Sequence, residues 1–409
     1  MPPPLEGIRV LDLTQYLAGP HATMLLAGMG AEVIRIDNPH TGDALSGAPF
    51  FYGADGLSLV KRDDSDVGVA FLKRLRGKRS ITLDLKSDEG RQLLLRLAEG
   101  ADVLVENFAV GVTERLGIDW PTLQAVNPRL IYCAITGYGS TGPDRHRRGY
   151  DLTAQAMSGL MSVTGKPDDP PTKAGSPLAD TVSAGFGFAG VLGALYQRER
   201  TGLGQFVDVA MTDVLFSLVF DDPLEKFDEI GIAQRPGNRV PRLSPFNTYR
   251  TSDGWMVICC GNDECWRRLC GVLGRLELAE HPQWGVMSWR IDNKDEVDAI
   301  VTTWTEMLTA GEAVERVLAS GVAASAVHSI DDALEWPHLQ ERDMIEPVEH
   351  PTLGVLDGLK AAGFPLKFSG GETGYRHGAV VTGADTRRIL GELGLSESDL
   401  DDLEARTII

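Results

Sequence analysis

The sequence lacks the features that mark several common classes of protein. Its five cysteines are an odd number, four of them falling between Cys259 and Cys270, and none has the CxxC spacing of a zinc site. They read as reduced cytosolic thiols, mostly core. Basic charge is scarce: 39 Lys and Arg stand against 58 Asp and Glu, a net charge of −19. That balance argues against a nucleic-acid partner or an anionic membrane surface. No uninterrupted apolar run reaches the ~18 residues of a membrane span. The opening MPPPLEGIRV has neither a basic n-region nor an h-region, so the expected location is cytoplasmic. The dinucleotide fingerprint GxGxxG is missing, because the first glycine turn reads LAGPHA. There is no GxSxG elbow for a serine hydrolase. The eight histidines include no HExxH or other metal spacing, so no metal site is expected.

What is present is an ordinary soluble composition, 43% hydrophobic and 24% charged over 409 residues, enough for two domains or more. GIRVLDLT reads as a buried strand and HATMLLAGMGA as a helix with Pro20 near its first turn. Glu32–Ile36 is a second strand, ending in Asp37. This is the outline of a nucleotide-binding βαβ unit. Residues 38–66 read as a long loop, and Val67–Arg76 as a helix. Lys73, Arg74, Arg76, Lys78 and Arg79 then form a basic cluster at a strand end. A solvated face and a phosphate-binding rim are its two readings. SITLDLK, ADVLVENF and LIYCAIT are further strands, and Ser87–Gly100 is an amphipathic helix capped by Ser87. Glu106 and Asn107 stand at the carboxyl end of a strand, where open α/β sheets bind ligands. Composition changes near Asp221, where a second domain is expected to begin. Phe246–Cys260 reads as a hairpin with TSDG as its turn. Elements around Val348–Lys367 lack a core of their own and are expected to return to the first domain. The fold class is α/β.

The organising stretch is Pro177–Gly202. Asp180 heads a long apolar helix that carries Gly185, Gly187, Gly190 and Gly193 and stops at Thr201–Gly202. Glycine costs roughly 1 kcal/mol against alanine in a helix, so close packing is expected behind four of them. Asp180 has two readings: a helix cap, or a carboxylate displayed at a helix start and kept ionised there as a nucleophile. Asp151 and Glu106 are the next candidates. Anion-friendly features are the Ala18–Gly19–Pro20 turn, the Lys78–Lys86 stretch with Asn107, and Arg147–Arg148. A carboxylate nucleophile suits group transfer better than hydride transfer.

LAGPHATMLLAGMGAEVIRID, GKRSITLDLKSDEG, ADVLVENF, RRGYDLTAQAMSGLMSVTG, LAD with its glycine-rich helix, and TGLGQFVDVAM follow in one order. Together they resemble the class III coenzyme A transferases, the family of formyl-CoA transferase, carnitine CoA-transferase and the bile-acid-inducible F proteins. The resemblance covers nearly the whole chain. It implies a Rossmann-like large domain formed by both chain ends, residues 1–222 and 331–409, a small domain at 223–330, and an interlocked homodimer. It implies an acyl-CoA donor, a carboxylic acid acceptor and no permanently bound cofactor. It also implies that Asp180 is the catalytic aspartate, working through a mixed anhydride and an aspartyl-CoA thioester, with helix N–H groups for the oxyanion. By the same matching, Leu17, Ala18, Leu83, Lys86, Asn107, Phe108, Arg115, Arg148 and Met211 are CoA contacts. Tyr150 and Asp151 border the substrate. Gly261, Asn262 and Asp263 match a mobile glycine loop but read GND. Asn38 replaces a phosphate-binding arginine of formyl-CoA transferase, with Arg76, Lys78 or Arg79 as its substitutes.

The chief rival is a 2-methylacyl-CoA racemase, which resembles this family and needs a His/Asp acid–base pair. Tyr150 holds the matching His position, and tyrosine is a poor base at neutral pH. A non-catalytic CoA-binding protein and a nicotinamide oxidoreductase also compete. Asp180 argues against the first and the missing fingerprint against the second.

Overall fold

Short apolar strands alternate with helices and assemble into one six-stranded sheet. The computed structural model describes residues 1–409. Strands β1 (Arg9–Asp12), β2 (Glu32–Asp37), β3 (Lys78–Thr82), β4 (Val103–Glu106), β5 (Ile131–Thr136) and β6 (Phe206–Ala210) lie in the order 3-2-1-4-5-6. Every neighbouring pair is parallel. The order reverses between β1 and β4, and a crevice forms at such a reversal, outside the carboxyl ends of the strands.

Side chains alternate across the sheet, so each strand feeds two cores. Val10, Val33, Val103 and Ile131 face one side, together with helices α1 (Ala18–Gly28) and α4 (Leu178–Thr201). Their sequence neighbours Leu11, Ile34, Leu104 and Tyr132 face the other. That second side is covered by the helix Asp88–Glu99, which Ser87 caps, and by the two C-terminal helices Thr386–Glu392 and Glu397–Ala405. Two shorter helices complete the surroundings of the site: α2 (Val69–Arg74) and α3 (Asp151–Met157).

Helix α1 packs along α4. Two of the four glycines of α4 explain themselves there: a Cβ at Gly187 would lie 2.8 Å from Ile135 Cδ1, and one at Gly190 2.8 Å from Val207 Cγ1. Gly185 and Gly193 face open space, so close packing accounts for only half the set. Gly202 ends the helix in a left-handed turn (φ 74°) that glycine adopts without strain. No uninterrupted apolar run marks this segment, yet α4 as a whole is long and apolar enough to cross a bilayer by length and composition. Its buried residues, among them Ala184, Phe188, Val191 and Leu195, belong to the sheet-side core.

By internal contacts the chain divides into two units. One comprises residues 1–160, 174–221 and 337–409, and the other residues 161–173 and 222–336. In the second, Phe246–Arg250 and Trp255–Cys259 pair antiparallel across the TSDG turn, and Ala323–Ala326 adds a third strand. Trp266, Tyr249, Val297 and Val301 fill its core.

Two local expectations change. The 38–66 loop carries strands Phe51–Gly53 and Gly56–Ser58, which join Val67–Gly68 in a small antiparallel sheet. The helix expected over 67–76 is confined to 69–74, because Val67 and Gly68 are taken by that sheet. The strands Ile345–His350 and Gly354–Ala362 pair with each other and share a core with Phe71, Leu72 and Leu75.

Candidate active site

Asp180 is the third residue of α4, and Pro177 before the helix offers no side-chain cap. The cap comes from elsewhere. Asp151 Oδ1 accepts hydrogen bonds from Ala179 N (2.7 Å) and Asp180 N (3.3 Å). Asp151 opens α3, where Thr153 Oγ1 accepts from Tyr150 N at 2.8 Å. One turn on, on the same face, Gln155 donates from Nε2 to Asp151 Oδ2 at 2.7 Å. Gln155 is fully buried, and its Oε1 accepts from Ala174 N at 2.9 Å. The chain is thus pinned at Ala174 ahead of the helix and at Ala179 and Asp180 in its first turn.

This changes the expected electrostatics. Leu178 N donates to Ser176 O and Thr181 N to Pro177 O. With Ala179 and Asp180 held by Asp151, the first N–H groups of α4 are all occupied. They are not free to receive an oxyanion, and the helix start does not by itself hold Asp180 ionised. Burial and the neighbouring Asp151 raise the Asp180 carboxyl to about 6, against the opposing pull of Arg74. At neutral pH it is still mostly ionised, and it is more basic than a solvated aspartate.

Three of the five residues of the basic cluster are spent on internal partners. Lys78 is 1% exposed, and its Nζ donates to Asp12 Oδ2 (2.9 Å), Pro20 O (2.8 Å) and Thr23 Oγ1 (2.7 Å). Thr23 also donates to Asp12 Oδ2 at 2.7 Å. Arg76 pairs with Glu346, donates to Ala362 O at 2.7 Å and stacks over Tyr375. Arg79 pairs with Glu32 at 2.6 Å. None of the three is available to stand in for an arginine at Asn38. Arg147 pairs with Asp144 at 3.0 Å, and Arg145 donates to His146 at 3.1 Å.

Of the expected CoA contacts, the structure brings Leu83, Lys86 and Phe108 together. They line a cavity of about 130 Å³ with Gln15, Asp37 and Asn38, at the carboxyl ends of β1, β2 and β3. Asn107 serves this wall indirectly. Its Oδ1 accepts from Gln15 N (2.8 Å) and its Nδ2 donates to Gln15 O (2.7 Å), so its amide is spent on backbone. Next to Gln15, Tyr16 is held at φ 64° and is 54% exposed, a strained placement of the kind that gathers at functional sites. Leu17 and Ala18 are buried at the start of α1, and Met211 is buried at the start of its own helix. Arg115, Arg148 and Tyr150 are exposed.

Glu106 lies apart from Asp180 in its contacts. Its carboxylate accepts from Phe108 N (2.7 Å) and Tyr132 OH (3.4 Å), and it borders a cavity of about 230 Å³ with Trp120 and Phe206. Burial raises its carboxyl to about 7. In the second unit the GND segment is tied down. Asn262 caps the helix Asp263–Leu273, accepting from Cys265 N at 2.9 Å, and Asp263 pairs with the fully buried Arg290 at 2.8 Å. Those anchors distinguish it from a free glycine loop.

Sequence reasoning missed two residues. Arg74 was one of five basic residues, and only the fold makes it the cation acting on Asp180. His21, in the first turns of α1, is pushed down to about 4 by burial and by Lys78, Arg74 and Arg76, so its ring is neutral at pH 7. No group of three His, Cys, Asp or Glu stands together to hold a metal ion.

The parallel sheet has the strand order of a doubly wound nucleotide-binding fold, without the dinucleotide phosphate fingerprint, and a half-buried carboxylate stands in the first turn of α4. The chain belongs to CoA-transferase family III, whose family model matches residues 5–386. It is similar to the succinate–glutarate CoA-transferase of Agrobacterium fabrum, 35% identical over 393 residues, covering 96% of each chain. It is also similar to the succinyl-CoA:mesaconate CoA-transferase of Haloarcula marismortui, 39% identical over 371 residues, covering 89% of this chain and 90% of that one. Among solved structures it resembles a CAIB/BAIF family protein from Brucella suis. The TM-score is 0.80 at 32% identity, covering 96% of this chain and all of that one. The protein is therefore a CoA-transferase, with CoA thioesters as its substrates.

Proposed function

We propose that the protein transfers CoA from an acyl-CoA donor to a carboxylic acid acceptor through covalent intermediates on Asp180. The observation that carries this is the Asp180 carboxylate itself, part-buried, raised to about 6, and fixed in place by the Asp151–Gln155 clamp. Desolvation and raised basicity both strengthen a carboxylate nucleophile.

The steps balance without an added reagent. An Asp180 oxygen attacks the thioester carbonyl, the C–S bond breaks, and CoA leaves as a thiolate beside a mixed anhydride. The thiolate attacks the Asp180 side-chain carbonyl and expels the donor acid as its carboxylate. The acceptor carboxylate attacks the resulting aspartyl-CoA thioester, releasing the thiolate and forming a second anhydride. The thiolate then attacks the acceptor's acyl carbon, and the Asp180 carboxylate returns.

Leu83, Lys86 and Phe108 are proposed to contact CoA from their shared cavity, and Leu17, Ala18, Arg115, Arg148 and Met211 to extend that surface. Asn107 supports it through Gln15, and Asp151 acts as a positioning residue for Asp180. The two compact units are proposed as large and small domains, and two chains as an interlocked homodimer in the cytoplasm. Light scattering on the purified protein tests the dimer.

The test of the mechanism is trapping. Incubation with a working acyl-CoA donor and hydroxylamine should place the modification on Asp180, read by peptide mass spectrometry. A working donor that leaves Asp180 unmodified overturns the proposal. Deuterium uptake at the α-carbon, with no exchange of acid, favours the racemase instead.

A further inference from the structure

We propose that the cavity beside Glu106 binds a small organic ammonium ion, held by a hydrogen-bonded ion pair with the Glu106 carboxylate against an aromatic wall of Trp120, Tyr132 and Phe206. The site is separate from the chemistry at Asp180 and does not depend on it.

Six acids are buried: Asp12, Asp37, Asp43, Asp66, Glu106 and Asp298. Four have a basic partner. Asp12 pairs with Lys78, Asp37 and Asp43 with Arg35, and Asp298 with Arg239. Asp66 closes a local turn, accepting from Arg62 N (2.8 Å) and Asp63 N (3.2 Å). Glu106, 5% exposed, has no cation and opens onto a cavity of about 230 Å³. Its Oε2 accepts from Phe108 N at 2.7 Å, but its Oε1 meets Tyr132 OH only at 3.4 Å. That is long against the usual O–H···O distance of about 2.7 Å. A carboxylate withdrawn from water calls for a cation or several donors, and Oε1 has neither.

The walls decide what kind of cation fits. The ring centroids of Tyr132 and Phe206 lie 5.5 Å apart, and Trp120 lies 6.2 and 6.4 Å from them. Together they form an aromatic surface, and the faces of such rings attract cations. Glu114 and Asp119 also line the cavity, and no lysine, arginine or histidine does. The positive charge therefore has to be brought in. A metal ion is a poor occupant, since no three His, Cys, Asp or Glu stand together to hold one, and aromatic rings supply no oxygen ligands. An organic cation with N–H groups answers both the carboxylate and the rings. The volume, below the roughly 300 Å³ at which drug-sized sites begin, limits it to a few carbons. The cavity lies on the face of the sheet opposite α4, because Glu106 alternates to the same side as Leu104 and Tyr132. Its lining shares only Phe108 with the cavity formed by Leu83 and Lys86.

Binding draws on the ionised form of Glu106. Burial holds its carboxyl up at about 7, Glu114 and Asp208 add to this, and Phe108 N–H and Tyr132 OH oppose it. Cys133, the other titratable group beside it, is pushed up to about 12 by burial and stays neutral. An incoming cation therefore displaces a proton from Glu106 at pH 6.

The experiment titrates the whole chain with n-propylammonium chloride in a calorimeter, at constant ionic strength. One equivalent should bind, about tenfold tighter at pH 8 than at pH 6, where Glu106 is ionised in about one molecule in ten. At pH 6 binding should release close to one proton per site, read from the buffer dependence of the heat. 1-Propanol keeps the shape without the charge and should bind about 30-fold more weakly. Tetramethylammonium keeps the charge without an N–H and should bind about tenfold more weakly. Glu106→Gln should abolish the proton release and most of the affinity, and Trp120→Leu should weaken binding about fivefold while keeping the pH dependence. No saturable binding below about 10 mM overturns the proposal. So does equal affinity for the alcohol, an affinity that ignores pH, or potassium chloride that competes as well as the amine. Glu106→Gln binding as tightly as the wild type overturns it too. The alcohol and pH comparisons use the wild type alone, so they decide the matter even if neither variant folds.

Discussion

Two helices on the same face of the sheet begin beside charge withdrawn wholly or partly from water, and they treat it in opposite ways. At α1, Lys78 reaches Asp12, Thr23 and the Pro20 carbonyl, and every strong donor and acceptor finds a partner. At α4, Asp180 is pressed by Asp151 and only loosely opposed by Arg74. The first arrangement is closed, because all three ammonium protons of Lys78 are already donated. The second is left open, with no ion pair closing on Asp180. A saturated ionic cluster holds a fold together, whereas an unsaturated one is available for chemistry.

That contrast can be broken most sharply at its open end. Asp180→Ala should cut transfer by roughly 10⁴-fold or more, as loss of a covalent nucleophile does, while CoA binding and the melting temperature stay close to wild type. A variant that keeps substantial activity in a steady-state assay erases the distinction. At the closed end the order of effects reverses. Lys78→Met strands Asp12 without a cation and should cost about 3–5 kcal/mol of stability, measured by denaturant unfolding, before any effect on turnover is considered.

Glu106 offers an intermediate case, buried like Asp12 but with no cation. Its folded pKa of about 7 lies above the ordinary 4.5. The folded state therefore holds this proton more tightly than the unfolded chain. The contribution is complete below pH 4.5 and is lost as pH rises through about 7. Glu106→Gln removes the titration, and should stabilise the protein at pH 8 relative to pH 5 by about 3 kcal/mol. Melting curves that shift equally at both pH values contradict this. The smallest effect is expected from Asp151→Asn. It keeps an oxygen for the Ala179 and Asp180 N–H groups and removes the like charge, so Asp180 becomes more acidic, while the asparagine's Nδ2 faces Gln155 Nε2 donor to donor and that link is lost. The acid limb of the kcat/KM profile, near pH 6 in the wild type, should move to lower pH with only a modest loss of rate above pH 7.

The sheet was legible because its signal is local. Each strand is a short apolar run, each turn carries glycine or proline, and the resemblance set them in one order. The place of Asp180 at the head of α4 was legible for the same reason: an acid opening a long apolar helix is visible within a few residues. The partners that decide what a charge does were not local. Lys78 meets an aspartate 66 positions away and Arg76 a glutamate 270 positions away. Read along the chain, both looked like a basic surface. The cap on α4 was hidden likewise, since Asp151 lies 28 residues before the N–H it accepts. The small sheet around Phe51 escaped because strands of two or three residues, rich in glycine, show no periodicity to read.

The pairing of Asn107 with Gln15 carries a consequence for tolerance to change. One side chain presents a donor and an acceptor, spaced to match the N–H and C=O of a single residue, as a neighbouring strand would. Of the residues close to asparagine in size, aspartate keeps the shape but turns an oxygen toward the Gln15 carbonyl, and leucine keeps the volume but answers neither group. Glutamine has the right ends at the wrong reach. The position thus behaves as a lock that reads chemical complementarity rather than bulk, and the wall beside Phe108 and Lys86 inherits its shape from that one amide.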